Sequence, residues 1–583
     1  MNKLKGSALV IFEIEFPDKK REWWQQFSVV IAPKQFKTKV KEQDLSFIDI
    51  ESLIDPGSVQ EAAEILRKLS FLKVSDGRRL SKIFQYKGYE LWWINYDDLM
   101  NRFCLPYTQY RRLLNHLKSY SKLYIYKPPF AGLFQNFLDA HNCQYVIENQ
   151  FTKKLPFGIL LQVVLSTLFL LWIKIRSPKL MVWTSDFFDL PRDHDFRMKF
   201  IYEELYKKKI NFVEFIRSME SSKTLLRHAL RRKRPVIYSF AIGIFLSYLA
   251  KFFSKKYEKE LNNLNSSVNN DPMEHFWFLM ATNYLHNVSG NIWAIRVIKS
   301  IIKFIGIKTA IIIVTASRNF PEVLACKLLG IKTTGIQHGL SLKHYAVSDF
   351  MPEFNGERHL SVDKYGLWSE WWREYYIRNS KTYQPRQLYV SGPMRPLQSL
   401  ASPPSTTNTI IKGSSLKVLF VSEQLGAPSE TLPYLQALIE AADLSLYLKF
   451  RSYSDGFENW LKENKPDILE KIDKSKIFRG SMQEAIAECD VVVGSHSTGV
   501  MEAALQFKPP IFFLTKKWGD FFELKSSNSE CPLIAENPQE LLKLVKESGN
   551  VTQKTLRELQ LRFFGDSHKN GSKWVVEQVE EFL

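Results

Sequence analysis

The chain has few of the residue patterns that mark metal-dependent, redox or covalent catalysis. It holds only five cysteines in 583 residues and no C-x-x-C pair, which argues against a disulfide framework and against a zinc site. It also lacks G-x-x-x-x-G-K-[ST], H-E-x-x-H and G-x-S-x-G, so P-loop, zinc-protease and serine-hydrolase chemistries find no support. Because a complete G-x-G-x-x-G is missing as well, a nicotinamide or flavin oxidoreductase is disfavoured.

Positive charge and apolar residues, by contrast, are plentiful. Apolar residues make up 45% of the chain and aromatics 14%, which is enough for the large cores of two or three domains. The net charge of +19 indicates an anionic partner such as nucleic acid, acidic lipid or a phosphorylated substrate. Basic patches interleaved with aromatics are absent, so nucleic acid is not expected. Scattered thiols and a strand-like N-terminus predict a cytoplasmic protein.

Short apolar strands alternate with longer helices over most of the chain, which predicts an α/β fold with parallel sheets. We expect two Rossmann-like domains that face a cleft, preceded by an extra N-terminal α/β region whose role is unknown. The Pro/Ser/Thr-rich stretch after Arg395 is the clearest linker. The predicted boundaries are 1–150 for the N-terminal region, 151–178 for an apolar helix, 179–395 for the first half, 396–415 for the linker and 416–583 for the second half.

Two uncharged runs have basic flanks. Leu155–Ile173 has 19 residues between lysine and arginine clusters, and Val236–Ala250 follows the sequence RRKR at Arg231–Arg234. The first run is near the minimum length for spanning a bilayer, whereas the second is too short. Buried helices of a large α/β protein, helices lying at the membrane surface and a true span all remain open. We expect peripheral attachment to anionic lipid.

The sequence GIQHGL follows an apolar strand and predicts a functional loop. Gln337, His338 and Gly339 lie just past the strand end, where a doubly wound fold presents its ligand-binding loops. His338 can act as a general base near neutral pH, and Gly339 allows close approach of the backbone to a ligand. A histidine bonded to a backbone carbonyl, with only a structural role, is the alternative.

The sequence VVVGSHSTGVMEAAL predicts a phosphate-binding loop. A strand runs into a cluster of small hydroxyl residues, and a helix follows at once, so N–H groups, hydroxyls and the positive end of the helix dipole can meet a phosphate. A glutamate one turn into the helix can accept hydrogen bonds from the hydroxyls of a sugar. Plain N-capping of the helix is the alternative. The predicted residues are Ser495, His496, Ser497, Thr498 and Glu502.

Three other strand ends carry weaker candidates, each more often a solvated loop than a site. Lys449 and Arg451 are possible phosphate clamps, and Arg395 follows Gly392 at the entrance to the linker. Four aspartates follow the strand LMVWTSD, and one of them, Asp189, is a candidate base; the others are Asp186, Asp193 and Asp195.

Taken in order, GIQHG, YVSGP-x-R and VVGSHST-x-x-x-EA resemble the GT-B glycosyltransferases of bacterial capsule and lipopolysaccharide biosynthesis. The same motifs also resemble Kdo-transferase-like enzymes and the related CDP-glycerol glycerophosphotransferases. The resemblance runs from about Leu180 to the C-terminus. It implies an acceptor side in 179–395 and a nucleotide-sugar donor side in 416–583, where the hydroxyl-rich loop and Glu502 bind the donor. Relatives often have Lys-x-His-Pro where this chain has Lys449-Phe450-Arg451-Ser452, which leaves the donor type open.

The resemblance implies an enzyme that moves a sugar from a nucleotide-sugar donor to a growing surface glycan or lipid-linked acceptor. We expect no cofactor and no metal ion, because helix dipoles and basic side chains can neutralise a departing phosphate. We also expect peripheral association with the inner face of the cell membrane. A sugar-nucleotide 2-epimerase, a glycerophosphotransferase and a non-catalytic polysaccharide-binding or assembly protein remain alternatives.

Overall fold

The computed structural model divides into two compact units, each made of several chain segments. Unit 1 comprises Met1–Glu61, Thr108–Asn149 and Gln398–Arg562, and unit 2 comprises Ala62–Tyr107, Gln150–Leu397 and Phe563–Leu583. The residues described are 5–12, 16–71, 77–129, 131–148, 157–185, 188–189, 194–195, 198–218, 220–232, 236–250, 272–313, 319–340, 342–343, 347–395, 415–423, 426–450, 456–525, 533–566 and 568–583.

The strands of the described residues group into three larger sheets and two short antiparallel ribbons. They are β1 Lys5–Ile11, β2 Val29–Ala32, β3 Ser46–Asp49, β4 Gln85–Tyr86, β5 Tyr89–Glu90, β6 Tyr120–Tyr126, β7 Tyr145–Glu148, β8 Leu180–Ser185, β9 Phe188–Asp189, β10 His194–Asp195, β11 Phe212–Arg217, β12 Val236–Ile237, β13 Thr309–Ile312, β14 Lys332–Ile336, β15 Lys364–Leu367, β16 Leu388–Val390, β17 Leu416–Val421, β18 Leu444–Lys449, β19 Ile477–Phe478, β20 Val491–Gly494, β21 Pro510–Phe513 and β22 Ile534–Ala535.

Helices connect nearly all of these strands. The α-helices are Arg21–Trp24, Lys37–Lys41, Ile50–Ile54, Ser58–Phe71, Tyr96–Leu99, Leu105–Leu117, Ala131–Ala140, Phe157–Arg176, Lys199–Lys207, Ser222–Arg231, Ser239–Ala250, Pro272–Ile305, Phe320–Leu328, Val347–Phe350, Glu370–Asn379, Pro428–Glu440, Gly456–Asn464, Pro466–Glu470, Met482–Ala487, Thr498–Met501, Pro538–Lys546, Gln553–Phe563 and Gly571–Glu580.

All three larger sheets have the doubly wound order. The strand orders are β3-β2-β1-β6-β7, β12-β11-β8-β13-β14-β15-β16 and β19-β18-β17-β20-β21-β22. Every pairing within them is parallel, with β17, for example, bonded to β18 on one side and β20 on the other. The predicted α/β class and the two Rossmann-like sheets are therefore confirmed. The N-terminal region forms a third sheet of the same kind.

Continuous apolar runs explain why these strands lie in sheet interiors. In β20 and β21 every residue is buried, as expected for parallel strands covered by helices on both faces. Leu435 and Leu438 of the helix after β17 are also buried in the core of this sheet, together with Leu541 and Val545 of a later helix. The hydroxyl side chains of the 495–498 loop come directly after the all-apolar strand β20.

The last helix of the chain does not cover the sheet that precedes it in sequence. In helix Gly571–Glu580, Val575, Val576 and Val579 are fully buried in the same core as Leu180 and Val182 of β8. Residues 563–583 therefore group with unit 2, which differs from the predicted second half of 416–583. The apolar side chains of an amphipathic helix predict that one of its faces is buried, but they do not predict which sheet buries that face.

The two uncharged runs adopt different structures. The first forms helix Phe157–Arg176, which among the described residues is the one helix long and apolar enough to cross a membrane, judged by length and composition. The second run is divided, since Val236 and Ile237 form the edge strand β12 and Ser239–Ala250 forms a helix. The expectation of a single helix from Val236 to Ala250 was wrong, because β-branched residues at its start pair with β11.

Candidate functional site

The strand order of the 416–535 sheet places a topological switch point between β17 and β20. From β17 the chain first moves outward to β18 and β19, and it then returns to the other side of β17 to form β20, β21 and β22. The loops after β17 and β20 therefore leave the sheet in opposite directions and open a crevice at its carboxyl edge. This edge carries the hydroxyl-rich loop predicted from the sequence.

Three strand-end loops meet in this crevice at Gly426. A Cβ atom placed on Gly426 would lie 3.0 Å from Thr431 Oγ1, 3.6 Å from Ser495 Oγ and 3.9 Å from Thr515 Cγ2. Gly426 follows β17 and precedes helix Pro428–Glu440, Ser495 follows β20, and Thr515 follows β21. The loops after all three strands thus converge on one small volume, which the sequence analysis did not foresee. The signal was available in the Gly-Ala-Pro sequence at the start of a helix.

Packing requires the glycine at the end of β20. A Cβ on Gly494 would lie 2.5 Å from Val500 Cγ2 and 3.0 Å from the Val421 carbonyl oxygen. The strand can therefore turn sharply into its helix while remaining close to β17. This tight turn positions Ser495 and His496, both nearly fully buried, at the strand end.

The hydroxyl of Ser497 has a structural role. It accepts a hydrogen bond of 3.2 Å from the backbone N–H of Gly499 and so caps the helical turn that begins at Thr498. One turn later, Glu502 accepts a 3.1 Å hydrogen bond from Gln483 Nε2. Ser497 is therefore an N-cap, as the alternative interpretation of this loop expected. A role in ligand binding for Ser497, Thr498 and Glu502 stays a prediction.

His496 is an uncharged imidazole in this environment. Its Nε2 lies 3.0 Å from Thr515 Oγ1, and the rings of Trp518 and Phe521 pack around it. Burial lowers its pKa from 6.5 to about 4, so the ring is neutral at pH 7. Its Nδ1 has no hydrogen-bond partner among the residues that the structure describes. His496 can therefore offer a neutral hydrogen bond in the crevice rather than a positive charge.

Lys449 lies at the carboxyl end of β18, next to β17. Its side chain is almost completely buried, and its Nζ donates a 3.4 Å hydrogen bond to the carbonyl of Phe450. Burial, and then the charge of Arg479, lowers the pKa of the Lys449 ammonium. Of the two residues predicted as a phosphate clamp, Lys449 therefore lies at the sheet edge, whereas Arg451 lies outside the described residues.

The second predicted loop, Gln337-His338-Gly339, follows β14 in unit 2. Gln337 is buried and held in place, since its Oε1 accepts from the backbone N–H of Trp368 at 3.2 Å and its carbonyl accepts from Trp368 Nε1 at 2.6 Å. His338 and Gly339 are partly exposed. Gln337 thus ties the loop to Trp368 at the end of β15, and solvent reaches the two residues that follow it, His338 and Gly339.

The other candidates of unit 2 are less well placed. Asp189 belongs to the short antiparallel ribbon β9–β10, where its backbone lies opposite that of His194. Asp186 and Asp193 lie outside the described residues. Arg395 is exposed and follows Gly392, which adopts a positive φ of 81° and lies against the backbone of Lys569.

A buried carboxyl group that the sequence analysis missed lies at the corresponding edge of unit 2. Glu322 is in the first turn of helix Phe320–Leu328, which follows β13, the strand beside β8. It is 1% exposed, and burial raises its pKa from 4.5 to about 7, while contacts with Ser239 and Trp183 oppose the rise. In the described part of the chain, no three His, Cys, Asp or Glu side chains are grouped so as to hold a metal ion.

No protein-family model matches the chain, and neither does any curated protein. Solved structures do match at low identity. A glycosyltransferase from Rickettsia africae is 13% identical, with 70% of this chain and 97% of that chain covered and a TM-score of 0.36. A UDP-GlcNAc 2-epimerase from Methanocaldococcus jannaschii is 12% identical, with 69% and 99% covered and a TM-score of 0.38.

Anabaena Alr3699/HepE, solved in complex with UDP and glucose, is also 12% identical, with 70% of this chain and 100% of that chain covered and a TM-score of 0.38. Glycosyltransferases and epimerases are therefore both represented among the similar structures. With TM-scores below 0.5, these likenesses do not decide the fold or the activity of this chain.

Proposed function

We propose that the chain is a glycosyltransferase that binds a nucleotide-sugar donor at the carboxyl edge of the 416–535 sheet. The observation that carries the proposal is the convergence of the loops after β17, β20 and β21 at Gly426, at the switch point of a doubly wound sheet. Small residues line this point, so a ligand can approach the backbone closely.

In this proposal the donor is held by polar groups and a helix N-terminus. Hydroxyls and N–H groups of Ser495, Ser497 and Thr498 receive the phosphates, where the positive end of a helix dipole also acts. The Glu502 carboxylate, which already accepts a hydrogen bond from Gln483, also accepts hydrogen bonds from the hydroxyls of the ribose. The neutral His496 contributes a hydrogen bond, and Lys449 contributes positive charge at the neighbouring strand end.

The chemistry requires a base for the acceptor hydroxyl and stabilisation of the leaving nucleoside diphosphate. The acceptor oxygen loses its proton and bonds to the anomeric carbon, while the bond from that carbon to the donor phosphate breaks. We propose His338 as the base, because it lies at a strand end and solvent reaches it, with Asp189 as the second candidate. We further propose a glycan or lipid-linked acceptor, metal-independent transfer and a site of action at the cytoplasmic face of the membrane.

A nucleotide screen tests the donor site directly. We expect one of UDP, GDP, CMP or CDP-glycerol to raise the melting temperature of the purified chain. Saturation at a hundredfold excess over Kd adds about 2.7 kcal/mol to the apparent stability. Ser497→Ala and Glu502→Ala should each abolish the shift, because one removes a hydroxyl and the other removes the carboxylate expected to hold the ribose.

Thr552→Ala is the matched control for the loss of a helix cap. Thr552 Oγ1 accepts a hydrogen bond of 3.1 Å from the backbone N–H of Thr555, and Thr552 is not one of the residues proposed to hold the donor. This variant should therefore lose about 1 kcal/mol of stability and keep the full nucleotide shift. If no nucleotide shifts the wild-type chain, a binding or assembly protein becomes the better proposal. Conversion of a UDP-sugar without an acceptor would instead indicate an epimerase.

A further inference from the structure

Helix Phe157–Arg176 exposes a continuous apolar stripe. Leu168, Leu171 and Ile175 are 66%, 68% and 83% exposed, and they follow one another at helical spacing. Further exposed side chains extend the same spacing to the start of the helix, at Phe157, Leu160 and Val164. Soluble surfaces rarely leave so long an apolar face in water, so the stripe indicates a binding partner.

The opposite face of this helix belongs to the folded core of unit 2. Gln162, Ser166 and Ile173 are buried, and Ser166 Oγ accepts a 2.9 Å hydrogen bond from the backbone N–H of Tyr238 at the end of β12. Ile159 and Leu165 pack against the cluster that contains Leu225 and Val236, as does Leu161. A bilayer span would strip the helix of these contacts and leave the N–H of Tyr238 without its partner. The packing therefore favours a helix that lies flat against the protein with one face outward.

The neighbouring helix Ser222–Arg231 adds positive charge. Its exposed side chains alternate between basic and apolar, at Lys223, Leu226, Arg227, Leu230 and Arg231, and Leu230 is 87% exposed. The two helices are adjacent at their N-termini, where a Cβ on Gly158 would lie 3.5 Å from Ser222 Oγ. Neither helix contains an aspartate or a glutamate.

Basic groups also border the C-terminal end of the stripe. The Arg176 guanidinium lies 4.7 Å from the ring centroid of Trp172, and Lys174 Nζ lies 5.3 Å from that of Phe304, whose ring is itself partly exposed. Cations stacked on aromatic rings at the edge of an apolar surface suit the boundary between lipid chains and head groups.

We propose that the outward faces of helices Phe157–Arg176 and Ser222–Arg231, here called the docking face, bind flat on an anionic lipid bilayer. The apolar stripe enters the acyl boundary and the basic side chains meet phosphate head groups. The absence of acidic residues from both helices matches the charge of that surface and disfavours a partner with a basic face. This inference does not depend on the proposed transferase activity.

Vesicle flotation of the full chain tests the proposal. We expect it to float with vesicles of phosphatidylcholine mixed with phosphatidylglycerol, to bind pure phosphatidylcholine weakly, and to be released as salt rises. Leu168→Ser combined with Leu171→Ser should lower the partition coefficient about tenfold or more. Lys223→Gln combined with Arg227→Gln should lower it about fivefold per charge on the mixed vesicles, and little on the neutral ones.

The matched control is Ile377→Ser combined with Leu561→Ser, which removes exposed apolar side chains from helices outside the docking face and should leave flotation unchanged. Equal flotation of wild type and both docking-face variants would overturn the proposal. Two other outcomes also overturn it. One is membrane association that only detergent reverses, which indicates a spanning helix. The other is self-association without vesicle binding, lost in the leucine variant, which indicates a second copy of the chain.

Discussion

Replacing Glu322 by glutamine should make the chain more stable at alkaline pH. Glu322 is nearly inaccessible to water, and burial raises the pKa of its carboxyl from 4.5 to about 7. The folded chain therefore keeps a proton that the unfolded chain releases. Stability from this group is fully present below about pH 4.5 and is lost as the pH rises through about 7.

The magnitude follows from the displacement of the pKa. At 1.36 kcal/mol per pKa unit, ionisation of Glu322 costs the folded state about 3 kcal/mol at pH 8, and less than about 1 kcal/mol at pH 5. Glutamine has nearly the same shape and carries no charge. Glu322→Gln should therefore match the wild type near pH 5 and exceed it by about 3 kcal/mol near pH 8.

Urea unfolding followed by tryptophan fluorescence measures this difference, because Trp183 contacts the Glu322 carboxyl. Glu374→Gln, an exposed glutamate of helix Glu370–Asn379, is the control and should show no dependence on pH beyond that of the wild type. If Glu322→Gln and the wild type lose stability in parallel between about pH 5 and pH 8, the buried carboxyl is ionised without cost and the reasoning fails.

Three further predictions concern other parts of the fold. The free energy of unfolding of the wild type should fall by about 3 kcal/mol as the pH falls from 6.5 to about 4, because His496 takes up a proton in this range only when the chain is unfolded. His496→Gln should flatten that part of the pH–stability curve, as measured by urea unfolding. Gly335→Ala should lower the free energy of unfolding by about 2 kcal/mol in the same assay, because the new Cβ would lie 2.8 Å from the Ile312 carbonyl oxygen. Gly243→Ala is the control and should not lower it, because its Cβ would make only ordinary van der Waals contacts. Tyr96→Phe should cost about 1–3 kcal/mol by removing the buried 2.8 Å hydrogen bond to Glu353; an unchanged melting temperature would contradict this.

The strands of the hydroxyl-rich site were predictable because their signal is local. The sequences LKVLFVS and DVVVGS are apolar runs bounded by small residues, and they form β17 and β20 at nearly those bounds. Glycine and serine at a strand end followed by an amphipathic helix likewise predict a turn wherever they occur. Ser495 directly after a strand, Ser497 at the start of a helix and Glu502 one turn later could therefore be placed without tertiary information.

The partners of those residues were not predictable in the same way. Thr515 reaches His496, and Gly426 approaches Ser495, only because β17, β20 and β21 are neighbours in the sheet. The raised pKa of Glu322 depends on burial beneath residues distant in sequence. Similarly, the N-terminal sheet groups in one compact unit with the 416–535 sheet, where Glu51 accepts a 2.7 Å hydrogen bond from Ser429 Oγ. The sequence of residues 1–150 carries no sign of that association.

By itself, the sequence determined most strands and helices, since hydrophobic period, glycine and helix caps act over a few residues, whereas the strand at Val236 depends on its pairing with β11. It also determined the excess of positive charge and the length of the uncharged run at 155–173. Only the tertiary structure decided the strand order, the sheet covered by helix Gly571–Glu580, and the face of helix Phe157–Arg176 left open to solvent. These depend on which apolar surfaces meet across long stretches of chain, and burial free energy depends on area rather than on the identity of the neighbour.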